Sequence, residues 1–113
     1  MRNLAAAVLL TMSSLVASSQ QSQIARISAL AGGTVLLNGT AADISTIEAE
    51  FARLKKVNGA VWYYRENPEQ EPTPDAMAVV KLVVKYKLPI SMSSKPDFSD
   101  YVDENGQLHP RTH

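Results

Sequence analysis

The chain has 113 residues, 45% hydrophobic and 19% charged, and its eleven basic and eleven acidic side chains cancel to a formal net charge of zero. That size bounds one small domain, and that balance leaves no cationic excess for nucleic acid and no polybasic run for an anionic membrane surface. Because cysteine is absent, disulfides, thiolate nucleophiles, zinc ribbons and lipid-modified cysteines are excluded, and stability has to come from a packed core.

Residues 1–19 read as a secretory signal peptide. Arg2 is the only charge, residues 4–16 are mostly apolar, and Ala17, Ser18 and Ser19 supply small residues for cleavage after Ser18 or Ser19. A retained anchor fits less well, because about 20 apolar residues are needed to cross a bilayer and this run is shorter and broken by Thr11, Ser13 and Ser14. Losing Arg2 leaves ten basic against eleven acidic residues, a processed chain of formal charge minus one. The expected organisation is a signal peptide over 1–19, a folded domain over 20–94 and a polar tail over 95–113.

Residues 24–30 alternate, with Ala25, Ile27 and Ala29 on one side and Arg26 and Ser28 on the other, which predicts a half-buried strand. Gly32-Gly33 offers a reversal into a second short strand over 34–37, ended by Asn38-Gly39, so the two are expected to form a hairpin. Asn38-Gly39-Thr40 is also a glycosylation sequon, read here as a turn signal.

Residues 43–57 give the clearest helix, since Ile44, Ile47, Phe51 and Leu54 recur at spacings of three and four. Ser45 and Glu48 have the spacing of a capping box and Asp43 offers an alternative cap; Lys55-Lys56 and Asn58-Gly59 suit its end. Residues 60–65, aromatic and β-branched without polar alternation, predict a central strand covered on both faces, with Trp62, Tyr63 and Tyr64 in the core rather than forming a stacking platform. The acidic, proline-broken stretch 66–72 is a solvated loop.

Thr73-Pro74-Asp75 starts a second helix, Thr73 capping and Pro74 at the first helical position, running to about Tyr86. Leu88-Pro89 ends it, and 90–93 alternate as a last strand with Ile90 and Met92 inward. Beyond Ser94 the chain is polar except for Phe98, Tyr101 and Val102, which can tether the tail across the domain; neither its acids nor His109 and His113 have metal-site spacing. The order strand, strand, helix, strand, helix, strand predicts an α+β fold, a small mixed sheet of about four strands with both helices on one face.

From about residue 24 to 94 the chain resembles the periplasmic domain of the ExbD/TolR family of biopolymer-transport accessory proteins. The resemblance sits in Val35-Leu36-Leu37-Asn38-Gly39, the helix over 43–56, the strand over 61–64 and the helix-strand unit over 74–93. It implies a dimerising or partner-binding envelope domain without catalysis. Family members keep an acid-bearing transmembrane helix that works with a proton channel, whereas the leading segment here has no acid, so proton-motive coupling is not implied.

Enzyme chemistry fails on inventory: there is no Gly-x-Ser-x-Gly elbow, His-Glu-x-x-His, phosphate loop or Gly-x-Gly-x-x-Gly, and both histidines lie in the tail. The expected function is therefore a non-catalytic, exported periplasmic or secreted interaction domain, self-associating or binding an envelope protein. No cofactor, metal, nucleic acid or stable membrane span is expected after processing. The alternative is an exported inhibitor or immunity-like protein that presents its acidic loop or tail to a basic target. The second helix has more apolar surface than one sheet face needs, so the candidate interface is Met77, Val79, Leu82, Tyr86, Phe98 and Tyr101.

Overall fold

The computed structural model describes residues 23–111. The signal-peptide segment, residues 1–19, lies outside them; among the described residues no helix is long and apolar enough to cross a membrane. In chain order the elements are β1 (Ile24–Ala29), β2 (Val35–Leu37), β3 (Thr40–Ala41), α1 (Ile44–Lys56), β4 (Ala60–Arg65), α2 (Pro74–Lys85), β5 (Ile90–Ser93), β6 (Asp100–Val102) and β7 (Leu108–Pro110). They form one mixed sheet in the order β3-β2-β1-β4-β5-β6-β7.

Among the described residues the class is α+β with two helices, as expected, but the sheet has seven strands rather than about four. β1, β4 and β5 run parallel and make its centre, while antiparallel meanders extend it on both sides. β3 follows β2 through a two-residue turn in which Asn38 (φ 52°) and Gly39 (φ 86°) are both left-handed, as the favoured hairpin turn requires. β6 and β7 come from the segment expected to be a polar tail. Their turn is built by Asp103, whose carboxylate accepts the N–H groups of Asn105 (2.8 Å) and Gln107 (2.9 Å), and by Gly106 at φ 80°.

α1 starts at Asp43, whose carboxylate accepts the Thr46 N–H at 2.8 Å. The Ser45–Glu48 capping box does not form; Glu48 instead reaches across to α2, accepting from Lys85 Nζ at 2.6 Å and Tyr86 Oη at 2.8 Å. After α1, Asn58 takes the left-handed conformation, and Gly59 is required by close approach. A Cβ there would lie 2.5 Å from Leu54 Cδ2 and 2.6 Å from the Gln23 carbonyl oxygen. α2 is capped by Thr73 accepting from the Ala76 N–H at 3.2 Å, with Pro74 in its first turn.

One core forms between the sheet and the helices. β1 contributes Ala25, Ile27 and Ala29, and β4 contributes Val61 and Tyr63, with Ala25 opposite Val61 and Ile27 opposite Tyr63 in register. Ile47, Phe51 and Leu54 of α1 and Ala76, Val79, Leu82 and Val83 of α2 close it. Each large side chain buried this way contributes about 1.5–3 kcal/mol. Stepping from β1 to β4 to β5 through successive right-handed crossovers places both helices on the same face.

β4 is the central strand, the fourth of seven, yet the helices cover only one of its faces. Trp62 and Tyr64 are not part of the helix-side core: they alternate with Val61 and Tyr63 and point to the opposite face, where both are half-buried. The inward expectation for Ile90 and Met92 also fails. They share the helix face with Val61 and Tyr63, but β5 lies past the reach of α2 and each is 41% exposed.

Candidate functional site

The two faces of the sheet carry two different surfaces. On the helix side, β5, β6 and β7 extend beyond α2 with no covering layer among the described residues. Register places Met92 opposite Val102 and Val102 opposite Leu108, a cross-strand apolar row on that face. The flank of α2 that does not meet α1 overlooks this row. Met77, Val80 and Val84, at spacings of three and four, are 49%, 41% and 70% exposed, and Leu108 is 59% exposed. The other flank of α2 is tied to α1 by the Glu48–Lys85–Tyr86 cluster. There the Lys85 ammonium, with help from the Tyr86 hydroxyl, lowers the Glu48 carboxyl below its ordinary value, while hydrogen bonding to Glu48 raises Tyr86.

The helix-free face is aromatic and cationic. Arg111 lies over Trp62 with 3.8 Å between guanidinium carbon and ring centroid, and Arg26 approaches the same ring at 5.1 Å. The Arg111 guanidinium donates to the hydroxyls of Ser91 (3.1 Å) and Ser93 (2.9 Å), whereas its buried Nε has no partner. Burial lowers the Arg111 pKa, and Asp100 acts in the opposite direction. Phe98 closes the cluster at 6.5 Å from Trp62 and edge-on to Tyr64 at 6.4 Å. Its backbone is left-handed (φ 57°), an unusual conformation for a bulky residue, kept because the ring is buried at 6% exposure. Further along the face Tyr101 stacks on His109 at 5.0 Å.

The strap that carries Phe98 and Arg111 is fixed by Asp100. Its carboxylate accepts the Ser94 N–H at 2.9 Å and also the Ser94 hydroxyl, and its carbonyl accepts from Ser93 Oγ at 2.9 Å. The Ser94 hydroxyl bond holds this buried carboxyl below its ordinary range. Asp97 and Asp103 are lowered in the same direction, by Ser99 and by His109.

Beside this cluster a groove of about 440 Å³ runs between the end of β2 and the loop before β6. Arg26, Tyr64, Phe98, Glu66 and Asp97 line it. A smaller hollow of about 270 Å³ lies where β1 and β4 end beside the start of α2; Arg65 there donates to the Gln70 carbonyl, closing the acidic loop onto itself. Among the described residues no three acidic or histidine side chains converge on a point that could hold a metal ion.

The six residues of the sequence-derived interface do not form one surface. Val79 and Leu82 are turned into the core at 0% and 9% exposure and are removed from it, because the surplus apolar positions of α2 that remain outside are Met77, Val80 and Val84. Tyr86 is half-buried against Glu48. Phe98 and Tyr101 lie across the sheet from α2 and cannot cover it. Sequence reasoning missed Arg26 and Arg111. The signals for that face were the alternation of Arg26 and Ser28 with Ala25 and Ile27 in β1 and that of Trp62 and Tyr64 with Val61 and Tyr63 in β4. Comparison with family models, curated proteins and solved structures finds no match to this chain.

Proposed function

We propose that this chain is a non-catalytic, exported interaction domain of the envelope or periplasm that self-associates through the uncovered helix side of its sheet. The observation that carries the reading is the exposed stripe Met77, Val80 and Val84 beside the uncovered row Met92, Val102 and Leu108. Together with Ile90 these side chains make an apolar patch on the order of 500 Å², near the upper end for an ordinary monomer. A standard interface takes about 800 Å² per partner, so the patch with a polar rim is enough for one side of a dimer.

A second copy is the occupant that fits. The patch residues carry no charge by which to select a differently charged partner, and a two-fold axis lays such a surface on itself. The face is used rather than the sheet edge. In β7 the neighbours of Leu108 bond inward to β6, so the outward positions are Leu108 and Pro110, and proline has no N–H to offer. The resemblance to a dimerising envelope family supports the same reading. The inhibitor alternative is less well supported, because the tail acids Asp100 and Asp103 are engaged in hydrogen bonds within the domain.

Sedimentation velocity over a concentration series provides the test. A reversible dimer is expected, and Val84→Lys, at an exposed site, should shift it to monomer while circular dichroism stays unchanged. A strict monomer at every concentration rejects the reading. Intact-mass measurement of the exported protein tests localisation separately, with loss of about the first 19 residues expected.

A further inference from the structure

The groove on the helix-free face has a charge pattern that the self-association reading does not use. Arg26 is exposed, and its backbone is locked to Asn38 in both directions, Arg26 N–H to Asn38 Oδ1 at 2.9 Å and Asn38 N–H to the Arg26 carbonyl at 2.8 Å. Its guanidinium rests near the Trp62 ring and forms no ion pair among the described residues. Glu66 and Asp97 also line the groove, and Tyr64, Leu36 and the buried Phe98 supply its apolar lining.

The spacing follows from the sheet. Arg26 is opposite Trp62 and Ser28 is opposite Tyr64, and the Glu66 N–H bonds to the Ala29 carbonyl one step farther on. Arg26 and Glu66 are thus separated by about four residues of strand, or roughly 13 Å at 3.3 Å per residue. An extended peptide presents alternate side chains on one face, so its positions i, i+2 and i+4 cover the same length. A small organic ion cannot meet both ends, and a uniformly charged polymer is repelled at one of them.

We propose that this groove binds an extended peptide segment of a partner protein whose alternate side chains are acidic, apolar and basic. The acidic side chain pairs with Arg26, the apolar one lies against Tyr64 and Leu36, and the basic one meets Glu66 and Asp97. A segment that reads acidic, apolar, basic from its N-terminus lies one way along the groove, and one that reads basic, apolar, acidic lies the other way. The volume of about 440 Å³ suits one medium apolar side chain with the backbone on either side.

Trp62 is the only tryptophan in the sequence, so its emission reports occupancy next to Arg26. The full chain is titrated with acetyl-Glu-Thr-Leu-Thr-Lys-amide and, separately, with acetyl-Lys-Thr-Leu-Thr-Lys-amide. A saturable change with the first peptide is expected, weaker by about tenfold with the second, the order of one charge-assisted contact. Arg26→Glu, at an exposed side chain, should invert that preference while the circular dichroism spectrum is retained. The proposal is overturned by the absence of a saturable change, or by binding that ignores both the peptide charge and Arg26→Glu. Because Val84→Lys leaves this face untouched, the same titration on that monomeric variant separates failure here from failure of self-association.

Discussion

The two faces of this sheet are built from the same strands and solve the problem of covering an apolar surface differently. On one side, α1 and α2 bury Ile27, Val61, Phe51 and Val79 completely, and the layer simply stops short of β5, leaving Met92 and Leu108 outside. On the other, no helix lies among the described residues. Trp62 is covered instead by the guanidinium of Arg111 and the ring of Phe98, both delivered by the segment after Ser94. The helix side is a dry core with an unfinished edge, whereas the helix-free side is a thin polar and aromatic cover over a half-buried row. The first arrangement concentrates stability, and the second keeps charged groups next to an accessible groove.

Substitutions should separate the faces by size of effect. Phe51→Ala removes a fully buried ring from the helix-side core and should destabilise by about 3–5 kcal/mol in chemical denaturation. Trp62→Ala should cost less, about 1–3 kcal/mol, because a half-buried ring loses its cation–π and aromatic contacts without opening a cavity in the main core. Equal losses from the two substitutions would erase the distinction between the faces.

Acid should act on the strap more than on the core. Of the five carboxyls held below their ordinary range among the described residues, Asp97, Asp100 and Asp103 belong to the segment that covers Trp62. A carboxyl lowered by folding adds stability above its unfolded pKa and loses it as pH falls through the folded value. Below about pH 4, Trp62 emission should therefore change before the far-ultraviolet signal of α1 and α2 is lost. Asp100→Asn should weaken that early transition. Simultaneous loss of both signals would show that the strap has no separate acid response.

How much of this was legible in the sequence depended on how long each pattern ran. α1 and α2 were readable because Ile44, Ile47, Phe51 and Leu54, or the Thr73-Pro74-Asp75 start, repeat or flag a period over a dozen residues. β3, β6 and β7 have two or three residues each, too short for a period to show, and their turns contain Asn38-Gly39 and Asn105-Gly106 without long apolar runs beside them. The candidate interface residues were divided between core and surface for a different reason. Periodicity says that Val79, Val80 and Val84 are apolar, but only the position of α1 decides that Val79 faces the core and Val84 faces out. Arg111 was out of reach, because its partners Trp62, Ser91 and Ser93 are set by long-range strand pairing.

The central claim is that the uncovered helix side is a self-association surface while the opposite face remains open in the dimer. It is tested most directly by following the backbone amide resonances by two-dimensional NMR as the protein is diluted from about 1 mM to about 10 μM, the range over which weak interfaces come apart. Amides at Met77, Val80, Val84 and Leu108 are expected to move together along one dissociation curve, with Ser28 and Tyr64 unmoved. Concentration-dependent shifts at Ser28 and Tyr64, or a spectrum that does not change with dilution in a protein of monomer mass, would contradict it.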